Sequence, residues 1–295
     1  MNNLKNLDYE YAYRYCKEIA IRHYENFPVG SLLIPKSKRK FIYSIYAFAR
    51  TADDIADSSK SDEKTKLKKL YEFENELNKS LNSEFDKLIP ETENIFIALY
   101  DTVKTLNIPA DELRNLLTAF RQDAVKQRYN NFSELAEYSE YSANPVGHLV
   151  LLIFNYNKST DSEAFRYSDK VCTALQLTNF WQDVSEDLRL NRIYIPEDIM
   201  KEYNYSYDLL FRKEENDDFL KMMKALIDMT RIMFTEGRII LDHVKGRLRL
   251  ELKATICGGE EILNKIESMN YRVLSRRVKI SNYDKLRIIS SVLIK

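Results

Sequence analysis

The sequence predicts an all-α fold, and three observations carry that prediction. Glycine and proline are scarce, six of each in 295 residues, where an average chain of this length has about 20 and 15. Apolar residues recur at helical spacing along nearly the whole chain, and no period-two run exceeds a few residues. Few turn formers argue against sandwiches, propellers and glycine-rich nucleotide loops. With no linker and no internal repeat, residues 1–295 read as a single domain.

The elements follow in order. Residues 8–25 predict a first helix, closed by the turn chemistry of Asn26, Pro28 and Gly30. Residues 36–57 predict a second, with Phe41, Ile45, Phe48, Ala52 and Ile55 on one face. The Lys- and Glu-rich stretch 62–81 carries an apolar stripe at Leu67, Leu70, Phe73 and Leu77. Helices follow at 91–106 and 110–127, the latter opening after Pro109. Ser133 is the expected N-cap of a helix over 134–142. Pro145 and Gly147 break or kink the chain before 148–156. Asp161 is placed to cap a helix running to about 188, followed by a loop over 192–196. Residues 215–250 predict one long helix or two joined end to end. Gly258 and Gly259 precede a helix near 260–270, and Ser281 is placed to cap the last.

Composition narrows the function. Basic and acidic residues number 45 each, so there is no electrostatic case for nucleic acid. Cys16, Cys172 and Cys257 are odd in number and far apart, which suits a reducing cytoplasm and neither a disulfide framework nor a metal knuckle. His23, His148 and His243 are too scattered for a His-based zinc site. The N-terminal residues lack the apolar core of a signal peptide. No run of 18 apolar residues predicts a spanning helix.

Two acidic clusters carry chemistry. Asp53 and Asp57 are four apart and share a helix face; Asn179, Asp183 and Asp187 do the same at i, i+4 and i+8. Like charges at that spacing weaken a helix by a few tenths of a kcal/mol. Each cluster ends a mostly apolar helix: residues 41–49 precede the first, and Val171–Gln182 carry no charge before the second. Carboxylates on buried helices need partners or a cation. Two such ends brought together would make an oxygen-only site suited to Mg²⁺, which binds through a few carboxylates, substrate phosphates and water. Arg50, one turn before Asp53, and Arg189 and Arg192, just after Asp187, could balance a diphosphate, as could Arg121, Arg128, Arg276 and Arg277. Two solvated helix ends are the alternative.

At these residues the sequence resembles the squalene and phytoene synthase type of trans-isoprenyl diphosphate synthases. Tyr46-Ala47-Phe48-Ala49-Arg50-Thr51-Ala52-Asp53-Asp54-Ile55-Ala56-Asp57 resembles the first aspartate-rich segment of that family. Gln176 to Asp187, continuing through Arg192-Ile193-Tyr194-Ile195-Pro196, resembles the second. The resemblance runs from about residue 10 to 280. Glu25-Asn26-Phe27-Pro28-Val29, Ser142-Ala143-Asn144-Pro145-Val146-Gly147 and Asn179-Phe180-Trp181-Gln182-Asp183 are similar to the hydroxysqualene synthases of bacterial hopanoid pathways. Condensing relatives typically carry Arg where this chain has Gln182, which fits an enzyme handling a single diphosphate.

The resemblance implies an all-α isoprenoid-synthase domain around a central apolar cavity. It implies conversion of presqualene diphosphate and water to hydroxysqualene and pyrophosphate. Asp53, Asp57, Asp183 and Asp187 would hold two or three Mg²⁺ ions with Asn179 assisting, and Arg50 and Arg277 would bind diphosphate. Phe27, Tyr46, Phe48, Tyr129 and Trp181 are candidates to wall off a carbocation, and Asn144, Gln182 and His148 to position water. No NADPH requirement is expected, since no dinucleotide fingerprint occurs. The expected partner is a prenyl diphosphate, with peripheral membrane contact and coupling to other squalene-pathway enzymes as further expectations. Rival readings are head-to-head condensation of two farnesyl or geranylgeranyl diphosphates, and a non-catalytic prenyl-lipid-binding protein.

Overall fold

The computed structural model describes residues 7–22 and 33–293. The described residues form helices and no strand. In chain order the α-helices are α1 (Tyr9–Arg22), α2 (Lys36–Ala56), α3 (Glu63–Leu81), α4 (Glu93–Leu106), α5 (Ala110–Asp123), α6 (Phe132–Ser142), α7 (Asn144–Ile153) and α8 (Ser162–Arg189). They continue as α9 (Glu197–Glu202), α10 (Tyr207–Phe211), α11 (Asp217–Gly237), α12 (Ile240–His243), α13 (Gly246–Ser268) and α14 (Asn282–Leu293). The chain divides into two compact units, one holding residues up to Val125 with His148–Thr160, the other Lys126–Gly147 with Asp161 onward.

In the first unit α2 packs on α1, α3, α4 and α5. Its buried face is Phe41, Ile45, Phe48, Ala52 and Ala56, spaced as an amphipathic helix requires. Phe48 stacks on Phe73 at 5.3 Å, and Phe73 lies 4.9 Å from Phe96, so three helices share one aromatic core. Hydroxyls buried within it find partners: Tyr13 donates to Asp101 at 2.8 Å, and the Ser44 and Thr102 hydroxyls meet at 2.7 Å. Asp62 caps α3 by accepting from the Thr65 N–H.

In the second unit the 28-residue α8 is the axis, with α6, α11, α12 and α13 packed on it. Glycines permit close approaches here, Gly147 against Ser168 and Cys172 among them. A Cβ at Gly237 would lie 2.8 Å from Val171 Cγ2, and one at Gly259 would lie 2.5 Å from Phe234 Cζ.

Several boundaries differ from the sequence reading. Gly258 and Gly259 lie inside α13 and do not precede it; at Gly259 close packing outweighs low helix propensity, whereas Gly258 faces open space. Asn131, not Ser133, caps α6, its side chain accepting from the Glu134 N–H. Asp161 occupies the N-cap position of α8 without a side-chain capping bond. The helix expected over 110–127 stops at Asp123. The helix expected from 148 starts at Asn144, with Pro145 in its first turn, where a missing N–H costs little. Residues 215–250 become α11, α12 and the start of α13. Ser281 does cap α14, accepting from the Asp284 N–H at 3.2 Å while Asp284 accepts from the Ser281 N–H at 2.6 Å. Phe27, Pro28, Gly30 and His23 lie outside the described residues.

Candidate active site

In the first unit the C-terminal turns of α2 carry the first acidic cluster. Asp53 is half-buried, and Asp54 and Asp57 are exposed. Asp57 is the C-cap residue, its N–H bonded to the Asp53 carbonyl at 2.8 Å. Arg50 lies one turn back and reaches forward, Nη1 to Asp53 at 3.1 Å and Nη2 to Asp54 at 2.5 Å. Its Nε is buried without a hydrogen-bond partner among the described residues. Tyr46, another turn back, is half-buried. Phe48 is fully buried and belongs to the aromatic core.

In the second unit α8 presents Asn179, Asp183 and Asp187 along one face, with Asn179 exposed and both aspartates half-buried. Arg277 grips Asp183 with two guanidinium nitrogens, Nη2 at 3.0 Å. That hydrogen bond holds the guanidinium more firmly protonated than usual, against the opposing pull of burial. The next residue back, Gln182, is buried and donates its amide to the Val278 carbonyl at 2.7 Å. Adjacent residues of α8 thus hold adjacent residues of the segment joining α13 to α14. Val273 to Ile280 of that segment make no backbone–backbone hydrogen bond among the described residues. Side chains secure it instead: Glu215 accepts from the Leu274 N–H at 2.8 Å.

Beside this face lies an aromatic stack. Tyr194 lies on Phe180 at 3.7 Å and 10°, and on Tyr129 at 5.7 Å. Tyr129 is almost fully buried, meets Tyr138 edge-on, and has the Lys126 ammonium 4.5 Å over its ring. Backbone bonds from Ile193 to Gln127 and from Glu197 to Tyr129 fix the stack. Trp181 is fully buried and donates to Thr230 at 2.9 Å. Asn144 is buried and accepts from Thr173 at 3.2 Å.

Of the other predicted residues, His148 is buried in the first unit with Nδ1 3.0 Å from Glu112, whose second oxygen meets Lys158 at 3.4 Å. Burial pushes the Glu112 carboxyl up, but the His148 hydrogen bond and charge, together with Lys158, bring it below the ordinary range. Arg121 pairs with Glu74, Arg189 with Glu186, and Arg128 donates to Asn191. Among the described residues no three His, Cys, Asp or Glu side chains gather closely enough to cage an ion. An ion on either acidic pair would have to take its remaining ligands from water and substrate phosphate, as Mg²⁺ does. The donors are all hard oxygens, and both pairs already attract a guanidinium. A recess of about 620 Å³ beside α3, lined by Ile55, Phe73, Lys79 and Thr92, includes none of the predicted residues.

The sequence reading missed Glu251. Five carboxylates are buried in the described residues, and Glu76, Glu112, Glu261 and Asp284 each meet a cation. Glu251 does not: its Oε2 is buried without a hydrogen-bond partner. No spacing signal marks it: Arg247, Arg249 and Glu251 alternate with Leu248, Leu250 and Leu252, and at about 100° per residue that alternation spreads the charges round the helix without marking any one as buried.

Residues 21–284 match the family model described as squalene/phytoene synthase. The chain is 33% identical over 258 residues to a hydroxysqualene synthase of Rhodopseudomonas palustris, covering 87% of this chain and 83% of that one. It is 29% identical over 284 residues to the 15-cis-phytoene synthase of Synechococcus elongatus, covering 93% and 90%. Among solved structures, the squalene synthase HpnC from Alicyclobacillus acidocaldarius superposes with a TM-score of 0.81 at 34% identity, covering 89% of this chain and 95% of that one. A ligand-bound dehydrosqualene synthase shares the fold at 23% identity, with a TM-score of 0.83 and 96% of each chain covered.

Proposed function

Because the chain belongs to the squalene/phytoene synthase family, we propose that it converts presqualene diphosphate and water to hydroxysqualene and pyrophosphate. The observation that carries this choice is Gln182. Glutamine is neutral, and its amide is engaged by the Val278 carbonyl; the position where the resemblance gives condensing relatives an arginine therefore supplies no positive charge for a second diphosphate. Likeness to hydroxysqualene synthases at 33% identity supports the same reading.

The carbon–oxygen bond to the diphosphate breaks heterolytically and its electron pair leaves on pyrophosphate. Water then adds its oxygen to the carbocation and loses a proton. Bound Mg²⁺ supplies Lewis-acid charge at the departing diphosphate. Asp53 and Asp57, and Asp183 and Asp187 with Asn179, are the residues to hold it. Arg50 and Arg277 add fixed positive charge for the leaving group. Tyr46, Tyr129 and Phe27 are the aromatics proposed to shield the cation, each contributing about 0.5–2 kcal/mol when a ring faces it. Gln182, Asn144 and His148 already have protein partners, so any of them orienting water does so from a fixed position.

The reading extends to one functional domain over residues 1–295, a cytoplasmic location without NADPH dependence, contact with the membrane that dissolves the substrate, and coupling to neighbouring squalene-pathway enzymes. No described helix is long and apolar enough to cross a membrane. The second reading, head-to-head condensation, is favoured by the likeness to phytoene synthases. Incubation with presqualene diphosphate, and separately with farnesyl or geranylgeranyl diphosphate, each with and without NADPH, decides between them by product identification. Hydroxysqualene from presqualene diphosphate alone is the expected result. Turnover of either shorter diphosphate on its own overturns it.

A further inference from the structure

Helix α14 has two apolar faces. One is buried: Ile288 and Val292 lie inward, and Asp284 on the same side pairs with Lys265 of α13 at 2.8 Å. The other is bare: Tyr283, Leu286 and Ile289 are 75%, 67% and 38% exposed. Their spacing of three residues puts them within about 120° of helical arc, centred on Leu286. Elsewhere exposed large apolar side chains among the described residues stand singly or far apart, as Tyr11 and Ile21 do on α1.

Charge accompanies this stripe. The chain as a whole is neutral, with 45 basic and 45 acidic residues. Residues 272–287 nevertheless hold six basic residues against the single, buried Asp284; Arg272, Arg277 and Arg287 are paired with Glu215, Asp183 and Glu261, which leaves Arg276, Lys279 and Lys285. Arg276, Lys279 and Lys285 make no ion pair among the described residues. Lys285 flanks the stripe about 100° of rotation from Leu286, while Arg287, as far round on the other side, is held by Glu261. An apolar stripe beside basic side chains that no acid of the chain neutralises is the pattern of a helix lying in a lipid headgroup region.

We propose that the outer face of α14 docks on an anionic lipid bilayer, with Tyr283, Leu286 and Ile289 entering the headgroup boundary and Arg276, Lys279 and Lys285 meeting the lipid phosphates. The excess of one charge sign selects this occupant over a second copy of the chain, because two such faces would repel each other. At twelve residues α14 is about 18 Å long, suited to lying on a bilayer and too short to cross one.

The test is vesicle flotation of the full chain, without turnover, so its result does not depend on which reaction the enzyme performs. Vesicles of phosphatidylcholine alone are compared with vesicles containing phosphatidylglycerol at one part in four. Wild-type protein is expected to float with the anionic vesicles at least about tenfold better, and to lose most of that advantage at high salt. Leu286→Asp is expected to weaken flotation about tenfold, and the pair Tyr283→Ser with Ile289→Ser to reproduce the loss. Both are surface changes, and an unchanged thermal melt checks that each variant folds. Absence of wild-type flotation on the anionic vesicles overturns the proposal, as does undiminished flotation of Leu286→Asp. A dimer that Leu286→Asp turns into a monomer also overturns it, by assigning the face to a second copy.

Discussion

Arg277 holds Asp183 across 94 residues of sequence, and Gln182 beside it holds Val278 through a backbone carbonyl. The two contacts differ in kind. The first joins partly exposed charges, 40% and 26% exposed, that can exchange partners in water. The second is a buried bond between neutral groups, which a dissolved ion does not replace.

Removal of the carboxylates separates catalysis from folding. Asp53→Ala and Asp183→Ala are expected to lower Mg²⁺-dependent pyrophosphate release on the order of 10²-fold or more. Each loses only partly exposed ion pairs, so stability should change by less than about 1 kcal/mol. Pyrophosphate release and urea midpoints check both halves. Activity surviving both substitutions removes the metal assignment.

Gln182→Leu keeps the volume near constant and strands the Val278 carbonyl. An unsatisfied buried carbonyl costs about 1–3 kcal/mol, read from urea unfolding. A faster tryptic cut after Arg276, Arg277 or Lys279 should accompany it, because the segment loses its central anchor. An unchanged digestion rate would mean that Glu215 and Asp284 suffice to hold it.

Glu251 sets a pH dependence. Burial pushes its carboxyl up to about 7 from the ordinary 4.5. Between those values the folded chain keeps a proton that the unfolded chain releases, so stability falls as pH rises from 4.5 to 7 and then levels. Glu251→Gln is expected to be more stable than wild type at about pH 8, by about 1–3 kcal/mol. The gap should close below about pH 5. Thermal melts of both proteins across that range supply the measurement, and a constant gap contradicts the assignment.

Gly259→Ala tests packing. The added methyl would sit 2.5 Å from Phe234 Cζ and 2.9 Å from Leu175 Cδ2. Overpacking of this kind costs about 1–3 kcal/mol, although alanine favours the helix by about 1 kcal/mol. A net loss in urea midpoint shows that packing wins, whereas a gain would show that Phe234 moves aside.

Much of this was legible beforehand, for identifiable reasons. Helices announce themselves through spacing, so α2, α3 and α8 could be placed from Phe41, Phe73 and the uncharged run before Asp183. The same spacing put Asp53 with Asp57 and Asp183 with Asp187. Local competition was harder to read: Asn131 and Ser133 are both good caps, and backbone geometry chose the first. Gly258 and Gly259 looked like a break because propensity is local, while the contact requiring Gly259 comes from Phe234 on another helix. The pairing of Gln182 with Val278 and the isolation of Glu251 depend wholly on tertiary neighbours, and no pattern along the chain encodes them.

The segment from Val273 to Ile280 has a consequence for how such an enzyme diverges. A strand or helix is fastened by its main chain, which every residue type shares, so replacing one side chain seldom alters the fastening. Here the fastening resides in Glu215, Gln182, Asp183 and Asp284. Each attachment can therefore be strengthened, weakened or re-aimed by one codon change, with the helices beneath it left intact. The cover over the acidic face of α8 is an inheritable setting, adjustable independently of the scaffold that carries it.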